Sequence, residues 1–358
     1  MRRQTKTDNL GDLLDSLTVP GELYTIEDPD QKWLRCTACG HRCLIKDGRR
    51  GICQVRFNQD GVLYVPQGYV GALQCDPIEK KPFFHVLPAT DALSFGMLGC
   101  DFRCHYCQNW LTSQTMRDDN AGVAPMMMSA AQLLRMAVGR RAKSVASTYN
   151  EPLITSEWAV EVFKLARQKG LKTLYISNGN GTPEVINYLA PHLDGYKIDL
   201  KTMNDKVYRK TMGGVLQHVL DTIKLTHDLG LWVEVVTLVV PGLNDSAEEL
   251  WDAAHYIRSV SADIPWHVTA FHPDYKMTDR DWTPPKTLLQ AAEIGVEAGL
   301  NYVYVGNAPG RVGEWEDTHC PSCQAKLIRR YGFHILENRL TADGTCPDCA
   351  RSIAGLWS

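Results

Sequence analysis

The sequence predicts an α/β fold in which parallel strands alternate with helices, between two cysteine-rich ends. Beyond Asp91, apolar runs rich in β-formers alternate with segments of helical period. Such alternation implies parallel strands joined by right-handed crossovers. About six units are too few for a complete eight-stranded barrel, so they fit an open (β/α)6 partial barrel, with a doubly wound sheet as the alternative. The predicted strands are 92–98, 144–149, 173–177, 195–200, 232–240, 266–271 and 302–305, and the predicted helices are 156–168, 184–189, 215–229, 248–260 and 286–298.

Length and composition predict a soluble protein of several modules. The chain has 358 residues, of which 44% are hydrophobic and 22% charged, and a net charge of -3 gives no reason to expect nucleic acid as the main ligand. No segment resembles a signal peptide or reaches the roughly 18 apolar residues of a membrane helix. We therefore predict a cytoplasmic protein that does not bind membranes. The predicted modules are an N-terminal tail (1–34), a cysteine-rich module (35–90), the α/β domain (91–310) and a C-terminal module (311–358).

Three cysteines in one loop follow the first predicted strand of the α/β domain. Cys100, Cys104 and Cys107 have the spacing C-x3-C-x2-C. Thiolates are the usual ligands of iron–sulfur clusters, and three in one loop can hold three irons of a cubane. The fourth iron would then have no cysteine and could bind a small molecule. The alternative is three buried thiols, or part of a zinc site.

The N-terminal module carries a second group of thiols, Cys36, Cys39, Cys43 and Cys53, with His41 as a possible substitute ligand. A loop this rich in glycine cannot bury a core of its own, and a metal would supply cross-links. The four thiols could close a tetrahedral zinc site or hold a second iron–sulfur cluster. We favour structural zinc, because closed four-ligand sites near chain ends are common. Residues 63–73 after this group predict a β-hairpin.

The C-terminal module contains two C-P-x-C knuckles, which are typical of a zinc ribbon. Their four thiols are Cys320, Cys323, Cys346 and Cys349, and residues 327–340 between them predict a pair of strands. Such modules are mostly structural, so we expect zinc to hold the tail together without joining the chemistry. The remaining cysteine, Cys75, is assigned no role.

The central loop resembles the signature of the radical S-adenosylmethionine (SAM) enzymes, including the aromatic Tyr106 before the last cysteine. The resemblance implies a partial (β/α)6 barrel of radical SAM type and a [4Fe-4S] cluster whose open iron binds SAM. It also implies cleavage of SAM to a 5′-deoxyadenosyl radical and an electron donor of flavodoxin or ferredoxin type. At the broad level the similarity is to the pyruvate formate-lyase-activating-enzyme branch, in which hydrogen is abstracted from a protein residue.

The same resemblance assigns roles to residues at the predicted strand ends. Asn150 and Glu151 match the last two positions of a Gly-Gly-Glu-like motif that contacts the SAM amino group, with Tyr149 in place of a glycine. Ser177, Asn178 and Gly179 resemble a Thr-Asn-Gly that contacts SAM. Asn307 ends the strand that lies near adenine in relatives. The resemblance thus assigns cofactor binding to Tyr106, Asn150, Glu151, Ser177, Asn178, Gly179 and Asn307, and catalysis to Asp199, Lys201 and His272.

Four polar residues on or next to the predicted strands have structural alternatives. Strand alternation puts Asp199 and Lys201 on one face, where they could serve the site or form a simple ion pair. Glu234 lies in an apolar run and must either pair with a basic residue or belong to the site. His267 is as well explained by a packed core histidine as by a role in the site.

Several segments together resemble the radical SAM member of the AmmeMemoRadiSam system. This resemblance implies an AMMECR-family protein and a Memo-like protein as partners. It leaves the substrate open: a polypeptide is favoured by the activating-enzyme similarity, a small molecule or RNA is the alternative, and a zinc-rich scaffold without catalysis is a third hypothesis. The segments are 36–43, 76–82, 149–152, 265–267, 271–276 and 304–307.

Overall fold

The computed structural model describes residues 6–358 and is built around one eight-stranded sheet. Seven strands are parallel, and the strand that comes first in the chain is antiparallel at one edge. The order runs sequentially without reversal, whereas a doubly wound sheet reverses its order. All seven predicted strands are confirmed. The strands are β1 (Ala72–Pro77), β2 (Asp91–Gly96), β3 (Ser144–Ser147), β4 (Lys172–Ser177), β5 (Gly195–Asp199), β6 (Trp232–Val239), β7 (Trp266–Ala270) and β8 (Val303–Gly306).

Helices connect the parallel strands, and the five predicted ones are confirmed within one residue at each end. A sixth connecting helix, Ala130–Gly139, was not predicted. The sequence does contain a signal for the start of this helix, because Ser129 and Gln132 have the spacing of a capping box, which the structure forms. No helix among residues 6–358 combines the length and the apolar composition needed to cross a bilayer. The helices are α1 (Lys6–Ser16), α2 (Trp110–Ser113), α3 (Ala130–Gly139), α4 (Ser156–Gln168), α5 (Pro183–Leu189), α6 (Asp205–Val207), α7 (Leu216–Asp228), α8 (Ala247–Val260) and α9 (Pro285–Glu297), with 3₁₀ turns at Ile78–Lys80, Pro152–Thr155 and Ala190–His192 and a π turn at Tyr208–Met212.

The N-terminal module consists of two small antiparallel sheets, and its pairing differs from the sequence prediction. The predicted hairpin 63–73 is wrong: Val62–Pro66 pairs with Phe57–Gln59 instead. The turn between them is Asp60-Gly61, where both residues adopt positive φ, and an Asp-Gly pair favours such a turn. One sheet contains Thr18–Pro20, Val62–Pro66 and Phe57–Gln59; the other contains Tyr24–Asp28, Trp33–Cys36 and Leu44–Ile45; and Tyr69–Val70 pairs separately with Met126–Met127.

These pairings cross the predicted boundary at residue 34. Residues 18–28 are paired with residues 33–36 and 62–66, so this part of the predicted tail belongs to the module. Residues 1–5 of that tail lie outside the described residues. The module shares one buried apolar cluster with the sheet, in which Leu34 and Val55 join Phe95 and Trp158. Each fully buried side chain of this kind contributes about 1.5–3 kcal/mol, so the module is fixed to the sheet.

The C-terminal module packs against the last strand of the sheet. The predicted pair of strands between the knuckles is confirmed as the hairpin Lys326–Tyr331 and His334–Asn338, to which Thr318–His319 adds a third strand. Leu327 and Ile328 share a buried cluster with Tyr304 of β8 and with Phe84. The tail is therefore an integral part of the packed structure.

Glu234 joins β6 to β7 and to the segment before β2 through a buried hydrogen-bond network. Its carboxylate accepts from the backbone N–H groups of Phe84 and His85, both at 3.0 Å, and its Oε2 lies 2.6 Å from Nε2 of His267. Burial would raise the pKa of Glu234, but the hydrogen bond and charge of His267 lower it below its ordinary value. Both structural alternatives are thus confirmed, since Glu234 has a basic partner and His267 is a packed core histidine.

Candidate active site

A cavity of about 660 Å³ opens at the carboxyl ends of the parallel strands. This is the edge at which sites form in folds of this class. Its volume suits a cofactor-sized molecule. Polar and sulfur-bearing residues that line it include Cys104, Cys107, Lys197, Asp199, Lys201 and Asn307.

The cysteine loop after β2 holds its thiols in a buried setting. Cys104 is buried, while Cys100 and Cys107 are half-buried. The backbone N–H of Phe102 donates to Sγ of Cys100 at 3.3 Å, and Oγ of Ser113 lies 3.2 Å from Sγ of Cys107. Burial raises the pKa of all three thiols, that of Cys104 to about 12 although the charge of Lys201 opposes the shift. Metal binding at these thiols must therefore displace protons.

The loop is clamped from two sides. Arg117 donates to the carbonyl oxygens of Cys100 at 2.7 Å and Phe102 at 2.8 Å, and also to that of Ile52 in the N-terminal module. On the other side, the backbone N–H of Lys276 donates to the carbonyl of His105 at 2.9 Å. The segment 271–276 after β7 thus packs on the cysteine loop.

Asp199 lies between two lysines at the end of β5. Its carboxylate accepts from Lys201 Nζ at 2.9 Å and from Lys197 in a second short ion pair. Burial would raise the pKa of Asp199, but the two positive charges lower it to about 2. The shared face of Asp199 and Lys201 follows the predicted alternation, with both groups paired and directed at the cavity. Sequence reasoning missed Lys197, although a lysine inside an apolar strand is as unusual as Glu234.

Glu151 does not line the cavity, because it lies in a buried network behind the cysteine loop. Its carboxylate accepts from Ser177 Oγ at 2.7 Å, Asn178 N at 2.7 Å and Leu153 N at 3.1 Å. Burial raises its pKa to about 8, and the nearby charge of Asp101 acts in the same direction, while the hydrogen bonds oppose both. Glu151 is therefore largely protonated at neutral pH in this structure.

Asp101 connects this network to the cysteine loop. It accepts from the side-chain amides of Asn178 and Asn180, both at 2.8 Å. Gly179 between them has φ 79°, and a Cβ there would lie 2.7 Å from Ile198 Cγ2, so only glycine fits. The structure thus brings Glu151, Ser177, Asn178 and Gly179 together, one layer away from the cavity.

Tyr149 occupies the glycine position of the motif and keeps a glycine-like backbone. Its φ is 71°, in the left-handed region that costs a non-glycine residue about 1–2 kcal/mol. Its hydroxyl accepts from Lys81 Nζ at 3.0 Å, and Lys81 also pairs with Asp76 at 3.3 Å. All three line the cavity. Asp76 and Lys81 belong to a polar segment with prolines at positions 77 and 82. From the sequence alone, this segment was assigned no role in the site.

The other predicted residues lie at different distances from the cavity. Tyr106 lines it, and its buried hydroxyl has no hydrogen-bond partner among residues 6–358. Asn307 also lines it, with Nδ2 donating to the carbonyl of Ala270 at 3.2 Å. Asn150 instead supports the loop, since its Oδ1 accepts from Met97 N at 3.1 Å. His272 is outside the lining, where its ring lies 5.2 Å from that of Trp282.

The terminal thiol groups differ in how closely their sulfurs approach. In the tail, Sγ of Cys320 is 3.6 Å from that of Cys349, and Sγ of Cys323 is 3.7 Å from that of Cys346. Within residues 6–358 these four are the one group of three or more Cys, His, Asp or Glu ligand atoms that lie within 4.8 Å of one another. The N-terminal thiols do not form such a group within residues 6–358. The tail also contributes Phe333 to the cavity lining.

Comparison with known proteins agrees with this geometry. Residues 96–257, which begin at the end of β2, match the family model described as the Radical SAM superfamily. An uncharacterized protein of Methanocaldococcus jannaschii is 40% identical over 335 residues, covering 93% of this chain and 98% of the relative. The pyruvate formate-lyase-activating enzyme of Clostridium pasteurianum is 24% identical over 192 residues, covering 51% of this chain and 80% of the enzyme.

A solved structure overlaps part of the chain. It is a domain of pyruvate-formate lyase-activating enzyme from Bacteroides vulgatus, which is 16% identical, with a TM-score of 0.41 over 46% of this chain and all of that domain.

Proposed function

Because this chain belongs to the radical SAM superfamily, we propose that it cleaves SAM reductively at a [4Fe-4S] cluster held by Cys100, Cys104 and Cys107, and abstracts hydrogen from a polypeptide. The observation that carries the proposal is the opening of the three-thiol loop, through Cys104 and Cys107, onto the 660 Å³ cavity. Bound there, the cluster and SAM would supply a 5′-deoxyadenosyl radical.

The residues present fit the cluster. The loop supplies three thiols, and no cysteine other than its Cys104 and Cys107 lines the cavity, which matches a cubane with one iron left for another ligand. The hydrogen-bond donors at Cys100 and Cys107 stabilise sulfur that carries negative charge. Lys201 adds a positive charge near Cys104, whose pKa it lowers against the effect of burial.

The cavity also fits SAM. Tyr106 lines the cavity together with Cys104 and Cys107, and its buried hydroxyl has no hydrogen-bond partner among residues 6–358. Lys197 and Lys201 offer ammonium groups, and Asp199 offers a carboxylate, to a ligand that carries both kinds of charge. Because Asp199 is shared between the lysines, a ligand carboxylate can replace it at one of them without leaving a buried charge unpaired.

This chain's own residues would orient the reactants and exclude water. Arg117 and the segment 271–276 fix the cysteine loop on both sides, so the thiols keep one position relative to the cavity. The network of Glu151 and Asp101 supports the loop from behind. A reactive radical needs such a rigid and dry setting, since water and flexible side chains would divert it.

A polypeptide substrate is supported by the similarity to the activating enzyme of Clostridium pasteurianum. We extend the proposal to an electron donor of flavodoxin or ferredoxin type and to the AMMECR-family and Memo-like proteins as partners of an AmmeMemoRadiSam system. We further propose that the sheet closes into a partial (β/α)6 barrel and that the four tail cysteines bind zinc in a ribbon-like module.

Deuterium transfer tests the substrate. Candidate partner proteins produced with deuterated amino acids are incubated anaerobically with the cluster-loaded enzyme, SAM and dithionite. We expect deuterium in the released 5′-deoxyadenosine and a matching mass change in one partner. Release of unlabelled 5′-deoxyadenosine with every protein, combined with label transfer from a small molecule or RNA, would contradict the polypeptide assignment.

A further inference from the structure

We propose that Cys36, Cys39, Cys43 and Cys53 bind a second [4Fe-4S] cluster, placed beside the cysteine loop of the first. The inference goes beyond the proposed function, because it assigns a cofactor to a site that takes part in neither SAM nor substrate binding. Three features support this site: the spacing of the sulfurs, buried polar atoms without partners, and contacts between the two loops.

Sulfur spacing separates the two metals that such thiols can bind. Four thiolates on one zinc ion, each about 2.3 Å from the metal, lie about 3.8 Å apart in tetrahedral geometry. The tail matches this value, with separations of 3.6 and 3.7 Å. The N-terminal thiols do not, since no three ligand atoms there lie within 4.8 Å of one another in the described chain.

A cubane demands a wider arrangement. Each of its thiolates binds a different iron, so the inorganic core holds the Sγ atoms apart. Cys100, Cys104 and Cys107, to which the proposed function assigns a cluster, also fall outside the group of closely spaced ligand atoms. Within residues 6–358 the tail thiols thus lie at zinc spacing, whereas neither the N-terminal nor the central thiols form a group of three within 4.8 Å.

The four N-terminal thiols nevertheless belong to one site. The backbone N–H of Cys36 donates to the carbonyl of Cys43 at 3.0 Å, which closes the first three cysteines into one turn. Sγ of Cys43 accepts from the N–H of Ile52 at 3.4 Å. This contact places the turn that contains Cys53 next to Cys43. Cys36 and Cys53 belong to one apolar cluster with Cys43 at its edge, Cys39 is also buried, and none of the four forms a disulfide.

Two polar groups beside these thiols have atoms without partners. Arg56 is 1% exposed, and its Nε makes no hydrogen bond among residues 6–358. Nε2 of His41, inside the turn, is also buried without a partner in that range. A cubane with four thiolates is an anion, and hydrogen bonds to its sulfurs stabilise it. Both groups can therefore donate to such a cluster.

The site adjoins the cysteine loop of the first cluster. Arg117 donates to the carbonyl of Ile52 and to that of Cys100, so one side chain ties the two loops together. A Cβ on Gly99 would lie 3.2 Å from the carbonyl oxygen of Cys53, so the backbones touch next to Cys100. The second cluster would therefore lie next to the first.

Metal analysis of cysteine variants tests the proposal. Iron, sulfide and zinc per chain are measured after anaerobic reconstitution, together with the electron paramagnetic resonance of the reduced protein. We expect about eight irons and one zinc for the natural chain, and about four irons after replacing Cys100, Cys104 and Cys107 together by alanine. That variant should keep the spectrum of a reduced [4Fe-4S] cluster. Cys75→Ala is the control and should keep all the metals.

The complementary variant, Cys36→Ala with Cys53→Ala, should also keep about four irons. If it does not fold, the variant of the central cysteines decides alone. Two zinc ions and no iron in that variant would overturn the proposal in favour of structural zinc. One zinc ion and no iron would overturn it in favour of a metal-free turn. Neither result depends on SAM cleavage, so failure here is distinct from failure of the proposed function.

Discussion

Replacing Glu151 by glutamine should remove a pH dependence of stability that burial imposes on the iron-free chain. The carboxyl group has a pKa of about 8 in the folded chain against an ordinary value of 4.5. A raised pKa means that the folded state holds the proton while the unfolded state releases it. The contribution of this group to the free energy of unfolding is therefore fully present below pH 4.5 and is lost as the pH rises towards 8.

The magnitude follows from these two pKa values. Each unit of pKa difference corresponds to about 1.4 kcal/mol, so the loss reaches about 3 kcal/mol at pH 7 and about 5 kcal/mol above pH 8. Glutamine has no charge to bury, but its amide nitrogen would face the N–H of Asn178, which now donates at 2.7 Å. That lost hydrogen bond costs about 1–2 kcal/mol at every pH. The variant should therefore be less stable than the natural chain at pH 5 and more stable at pH 7.

Urea unfolding of the iron-free protein between pH 5 and pH 8 measures this crossing, in buffers of equal ionic strength. Glu297→Gln is the matched control, because it removes an exposed carboxylate and should leave the pH dependence unchanged. If the natural chain and Glu151→Gln gave parallel curves across this range, the conclusion that Glu151 is buried in its protonated form would be refuted.

Three further predictions concern the cavity and the tail. Asp199→Asn should lower the free energy of unfolding at pH 7 by about 2 kcal/mol, since two lysines lose their carboxylate, and adding Lys197→Met should recover part of the loss in the same urea assay. Tyr149→Gly should be more stable than Tyr149→Ala by about 1 kcal/mol, because alanine keeps the strain of a φ of 71°. Cys320→Ser should lose one zinc per chain and expose the tail to limited proteolysis while 91–306 stays protected; unchanged zinc content would contradict the zinc assignment, and Cys75→Ser is its control.

The strands could be predicted from the sequence because parallel strands are buried on both faces and therefore form nearly continuous apolar runs. The helices between them show a 3.6-residue period, and α4 was predicted at its observed bounds. The hairpin in the N-terminal module failed because pairing of short strands depends on distant partners. Residues 18–20 pair with Val62–Pro66, and no local sequence pattern predicts this pairing.

The candidate site was predictable to the level of strand ends and no further. Asp199 and Lys201 face the cavity because side chains alternate along a strand, which places residues two positions apart on the same face. This alternation can be read from the sequence alone. Glu151 and Asn178 also lie at strand ends, but the following loops turn them towards Asp101, behind the cysteine loop. Lys81 and Lys197 were missed because only the folded arrangement brings them to Tyr149 and Asp199.

The most direct test of the central claim is the release of 5′-deoxyadenosine and methionine from SAM by the anaerobically reconstituted protein under dithionite. We expect release by the natural chain and by Cys75→Ala. We expect none by Cys104→Ala, because its cluster lacks one of the three thiols. Equal release by Cys104→Ala and the natural chain would contradict the assignment of the cluster to Cys100, Cys104 and Cys107.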